Sequence, residues 1–196
     1  METDEEKKII EQINRAIAEK RGYADFWDWP LDRDIGERGV VKNFCEALEK
    51  RGEVFLNSAT VVSRGQGNDP PDCEARDLDG NLVGIEVTEL VDPKAIQAVK
   101  VGQPYAWAEW DSPKLIAAVN DRLHKKDVPG RIKGGPYKSY VLLIHTDEPI
   151  LNEHYVKVLL KKTCFAKRNL IDRAFLLISY DPESRSYPFL ELNLEI

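Results

Sequence analysis

Cysteine is scarce, with Cys45, Cys73 and Cys164 the only three in 196 residues and no CxxC pair among them. An odd, widely spaced set excludes a disulfide framework, and all three are expected as reduced core thiols. Histidine is equally rare, and His124, His145 and His154 show neither HxxxH nor Cys/His spacing, which argues against a zinc site. No apolar run approaches the roughly 18 residues of a membrane span. The first ten residues, rich in acids and lysines, lack the apolar core of a secretory signal. The expectation is therefore a soluble, cytoplasmic chain with no membrane partner. There is no Walker loop, dinucleotide fingerprint, GxSxG elbow or HExxH pair, so nucleotide-driven, serine-hydrolase and zincin chemistry find no support. Gly65 and Gly67 are only a fragment of a phosphate-cradling loop and read better as a hinge. Positive charge is also in deficit. A net charge of −6 argues against coating nucleic acid over the whole surface, although local basic patches remain compatible with it.

What the chain does have is 42% hydrophobic and 32% charged residues, a globular balance. Its 196 residues suit one domain. Ile9, Ile10, Ile13 and Ile17 recur at helical spacing and predict an amphipathic helix over 4–21, stopped by Gly22. Phe26-Trp27-Asp28-Trp29-Pro30 cannot continue it and reads as an aromatic loop packed over the core, with a base-stacking platform as the alternative. Val40, Val41, Phe44, Cys45 and Leu48 predict a second helix over Ile35 to Arg51. Three strands follow, at Glu53 to Ser63, Asp72 to Leu78 and Leu82 to Leu90, the last two joined by the turn Asp79-Gly80-Asn81. An irregular stretch after Pro93 holds Tyr105, Trp107 and Trp110. Ser112-Pro113 then opens a helix with Leu115, Ile116, Val119 and Leu123 on its buried stripe. A polar loop at 127–139 precedes the apolar strand Tyr140 to Ile144, which should lie in the middle of the sheet. A helix from Asn152 to Thr163 and strands Ala174 to Tyr180 and Phe189 to Leu194 complete an α/β fold with one mixed sheet flanked by helices.

Side chains alternate along a strand, so Asp72, Glu74 and Arg76 share one face, and Glu86 and Thr88 share one face of the neighbouring strand. Asp72 and Glu86 stand at corresponding distances from the hairpin turn. Two carboxylates so placed can hold one divalent cation, Mg2+ or Mn2+, with the Val87 carbonyl as a further oxygen ligand and water filling the shell. On the preceding helix, Glu37 shares a face with Val41, Phe44 and Leu48, and either reaches the same site or closes a capping box with Asp34.

Pro71-Asp72, thirteen intervening residues and Glu86-Val87-Thr88, set in an αβββ order and followed by αβ, resemble the PD-(D/E)XK nuclease superfamily. The resemblance covers a core at 34–146, with 1–33 as an N-terminal helix and aromatic loop and 147–196 as a helix-strand-strand extension completing the sheet. It implies a restriction-endonuclease-like αβββαβ core and a metal-dependent phosphodiesterase with catalytic residues Asp72, Glu86, Thr88 and Glu37. Asp72, Glu86 and Val87 would be the metal ligands. The implied partner is DNA foremost and RNA second, and a homodimer is compatible with it. Thr88 stands where the superfamily has a lysine. A hydroxyl brings no positive charge to a phosphoryl transition state, so another cation must substitute, with Arg76 and Lys114 as candidates, or the protein is an impaired nuclease that binds nucleic acid or a protein. Two basic patches offer a nucleic-acid surface, Lys125, Lys126, Arg131, Lys133 and Lys138 in one and Lys157, Lys161, Lys162, Lys167, Arg168 and Arg173 in the other. A solvated helix face is the plainer reading of each.

Overall fold

A computed structural model describes Glu11, Tyr23, Ala24, Trp27 and residues 33–103 and 107–195. The helix expected over 4–21, most of the aromatic loop at Phe26 to Pro30, and Tyr105 lie outside the described residues. Helix α1 (Arg33–Arg51) buries the predicted stripe of Val40, Val41, Phe44, Cys45 and Leu48. Gly52, at φ 69°, ends it. Its amide bonds Glu49 O at 3.1 Å and the Glu53 amide bonds Leu48 O at 3.0 Å, satisfying carbonyls that a helix end leaves open. That exit takes up Glu53, so strand β1 (Leu56–Ser63) starts later than the apolar pattern suggested.

Strands β2 (Cys73–Asp77) and β3 (Leu82–Glu89) form the expected hairpin. Gly80 supplies the positive φ, at 85°. Asn81 serves differently from the expectation: its amide nitrogens, backbone and side chain, donate to the Asp77 carboxylate at 2.7 and 2.9 Å. Beyond β3 comes a short helix that the pattern did not suggest, α2 (Pro93–Lys100), opened by Asp92, whose side chain accepts from the Lys94 amide. Helix α3 (Ser112–Lys126) is capped by Asp111 rather than Ser112, through the Lys114 amide at 2.8 Å. Strand β4 (Ser139–Thr146) is central, as its unbroken apolar run required. Helix α4 (Glu153–Leu159) is shorter than expected, since the chain leaves helical geometry at Leu160 and reaches positive φ at Lys162. Strands β5 (Arg173–Ile178) and β6 (Phe189–Glu191) follow, and Leu194 leaves β6 to bridge Phe165.

All six strands form one mixed sheet in the order β1-β2-β3-β4-β5-β6. β1-β2-β3 and β5-β6 are antiparallel, whereas β3-β4-β5 are parallel. Each face carries its own apolar layer. Val83, Ile85 and Val87 of β3 pack with α1, while Leu115, Val119 and Leu123 of α3 pack with Leu142 and Ile144 on the other face. The alternation therefore puts Gly84, Glu86 and Thr88 on the α3 side. Trp27 packs half-buried against His145, with ring centroids 5.2 Å apart, as a core-covering residue would. Cys45 and Cys73 are buried and burial pushes both thiols up to about 12, but Cys164 is exposed, against the expectation of three core thiols. Among the described residues no helix is long and apolar enough to cross a membrane.

Candidate active site

The hairpin register pairs Cys73 with Ile85, and one further step sets Asp72 opposite Glu86. β2 starts only at Cys73, so Asp72 stands just off the ladder where β3 runs on alone. There the Asp72 Oδ2 accepts from the Val87 amide at 2.8 Å. In extended backbone a residue's N–H and C=O point to the same flank, so the Val87 carbonyl also faces Asp72. Both acids are buried, Asp72 being 2% and Glu86 4% exposed. Burial, then repulsion from Glu86, raises the Asp72 pKa to about 6.

Glu86 has a partner that the sequence reading assigned elsewhere. Lys126, the last residue of α3, places Nζ 2.5 Å from Glu86 Oε1. The Tyr140 hydroxyl donates to Oε2 at 3.0 Å. Burial and the neighbouring carboxylate hold that phenol well above its ordinary pKa, so it stays a donor. Gly84 makes this possible: a Cβ there would stand 3.0 Å from Tyr140 Cδ2 and 3.2 Å from Pro71 Cγ. The signal for Lys126 was present in the helix phase, because Leu115, Val119 and Leu123 lead at four-residue steps to Lys126 three residues on. A cation on a buried stripe needs an acid to face it.

Neither cation proposed from sequence reaches Glu86. Arg76 Nη1 bonds Gly80 O at the hairpin tip, and Lys114 Nζ bonds Asp92 Oδ2 and Glu109 O, each at 2.7 Å. Thr88 lies half-buried two residues beyond Glu86 on the same face.

Glu37 reaches the site through Arg33. The guanidinium donates to Glu37 Oε1 at 2.6 Å, to Asp72 Oδ1 at 2.8 Å and to Asp69 Oδ2 at 3.4 Å. The Glu37 carboxylate is thus spent on Arg33 and not on a capping box with Asp34. Burial first, then the Asp72 charge, raises Glu37 to about 7 despite the arginine. These residues and the Gly65 to Asp69 loop line a cavity of about 270 Å³. Asp72 and Glu86 are the residues that could offer oxygens to a divalent cation, which would displace the donors now on them, Arg33 and the Val87 amide at Asp72 and Lys126 and Tyr140 at Glu86. Among the described residues, no group of three or more His, Cys, Asp or Glu is arranged as a metal cage, and Arg33 bridges Glu37 and Asp72.

The basic residues divide. Lys125 pairs with Asp121 at 2.9 Å on the exposed side of α3, and Lys126 turns inward. Lys133 Nζ bonds Gly67 O at 2.9 Å, tying the segment that also carries exposed Arg131 to the loop over the cavity. Lys161 and Lys162 follow α4, where Lys162 lines a hollow with Glu191 of the far-edge strand β6, away from Asp72. Arg168 Nη2 contacts Asn120 Oδ1 of α3 at 2.5 Å. The second patch therefore does not join the carboxylates. No family model matches this sequence, and comparison with curated proteins and with solved structures likewise yields no match.

Proposed function

We propose that the chain is a metal-dependent phosphodiesterase of the PD-(D/E)XK kind, with a restriction-endonuclease-like core, acting on DNA in preference to RNA. The observation that carries this reading is Lys126: its ammonium sits on Glu86 beside Asp72, supplying from α3 the cation that Thr88 does not. Asp72, Glu86 and the Val87 carbonyl would hold Mg2+ or Mn2+, which would act as a Lewis acid on a phosphate oxygen and favour ionisation of water. The protein groups have separable roles. Lys126 keeps positive charge where the phosphoryl group gains negative charge, in a partly buried setting where screening is weak. Tyr140 fixes the carboxylate plane of Glu86. Glu37 holds the Arg33 guanidinium that bonds Asp72 and so acts as a positioning residue.

One observation favours a second reading, a nuclease-fold protein that binds nucleic acid or a protein without cleaving. Arg33 already places a cation between Glu37 and Asp72. The two readings separate in a cleavage assay on supercoiled plasmid and labelled single-stranded DNA and RNA, with Mg2+ or Mn2+ against EDTA. The enzyme reading expects cutting that needs metal, is lost in Asp72→Ala and is strongly slowed in Lys126→Met. Absence of cutting on every substrate, with binding retained, supports the second.

A further inference from the structure

Outside the carboxylate site, a wide hollow of about 1030 Å³ lies along α3. Its wall is one helical stripe of Lys114, Ala118, Asp121, Arg122 and Lys125, and Lys94 of α2 and Trp107 complete it. Trp107 is 64% exposed, an unusual state for the largest apolar side chain. Beside it Trp110 is buried, with the Lys114 ammonium 4.5 Å from its ring centroid.

The stripe's cations are held in place. Asp92 fixes Lys114, while Asp121 pairs with both Arg122 and Lys125. Arg122 Nε also bonds the carbonyl of Glu89 at 2.7 Å, fastening the groove to the strand that carries Glu86. The groove keeps to the exposed side of α3, where Lys125 pairs with Asp121, whereas Lys126 turns inward to Glu86. From Lys114 to Lys125 the helix rises about 16.5 Å, the length of roughly five stacked nucleotides at one phosphate per ~3.4 Å of strand.

We propose that this groove binds an unpaired nucleic-acid strand, with a base stacked on Trp107 and the backbone following the α3 cations Lys114, Arg122 and Lys125. An exposed indole can stack on any unpaired base, whereas paired bases are already stacked. Four cations, Lys94, Lys114, Arg122 and Lys125, face three acids, Asp92, Glu109 and Asp121, so stacking must supply much of the affinity. Nucleic acid as ligand rests on the nuclease reading, but binding and cleavage fail separately.

The test is fluorescence anisotropy of end-labelled dT10 and rU10 with the full chain in EDTA, beside a ten-base-pair duplex, with tryptophan quenching as a second readout. Wild type should bind the single strands more tightly than the duplex, Trp107→Ala should lose about tenfold, and Trp107→Phe should keep most of the affinity. The dT10 and rU10 arms tell whether DNA or RNA fits better. No binding of either strand, or equal binding by wild type and Trp107→Ala, overturns the groove. If Trp107→Ala is neutral while wild type cuts DNA, the groove fails and the nuclease reading stands. Loss of binding in Trp107→Ala without metal-dependent cutting leaves the groove standing and removes the nuclease reading.

Discussion

Replacing Lys126 with methionine keeps most of the side-chain stem and removes the ammonium from a glutamate whose side chain is 6% exposed. Breaking such a pair costs about 3–5 kcal/mol when the orphaned charge has no escape. Tyr140 still donates to Oε2 and offsets part of that cost. The expected destabilisation of the metal-free protein is therefore about 2–4 kcal/mol at pH 7. Urea melts of wild type and variant measure it. Lys125→Met, which breaks only an exposed pair with Asp121, should cost under about 1 kcal/mol. A penalty for Lys126→Met no larger than that of Lys125→Met would refute the buried pair.

Mn2+ affinity, followed by calorimetry or electron paramagnetic resonance, should fall as pH drops below about 6, because Asp72 takes up a proton there; a flat profile from pH 8 to 5 would exclude Asp72 as a ligand. By the same linkage, the raised carboxyls of Glu37 and Asp72 make the metal-free protein more stable near pH 5 than above pH 7, and thermal melts with and without Mn2+ should diverge as pH rises. Arg33→Gln should tighten Mn2+ binding, since the guanidinium competes for Asp72, whereas weaker binding would mean that Arg33 positions Asp72 for the ion. Thr88→Ala should leave any cleavage rate within about threefold, a change of under ~1 kcal/mol in barrier. Thr88→Lys should lower it by adding like charge on the face that already receives Lys126, and a gain in rate would show that Lys126 does not serve as the cation.

The carboxylate pair was legible in the sequence because a tight hairpin fixes register locally: the turn around Gly80 sets Asp72 opposite Glu86 without reference to the rest of the fold. The central place of β4 was equally legible, since only a strand covered on both faces carries an unbroken apolar run. Lys126 was read as surface charge because its partner lies forty residues away on another element, a relation set by how α3 packs on the sheet. Only its phase on the buried stripe pointed inward. Arg33 was missed for a related reason. Its spacing to Glu37 suggests an ordinary helix ion pair, and nothing local announces the contacts with Asp69 and Asp72. Helix α2 escaped because eight residues carry too little periodicity, although Asp92-Pro93 is a readable start.

The most direct test of the central claim is cleavage of supercoiled plasmid in Mn2+ by wild type, Asp72→Ala and Lys126→Met, each first shown to be folded by circular dichroism. The account predicts cutting by wild type that EDTA abolishes, none by Asp72→Ala, and a rate about 10²–10³ lower for Lys126→Met, the loss expected for one transition-state charge contact. Cutting by Lys126→Met at the wild-type rate would contradict it.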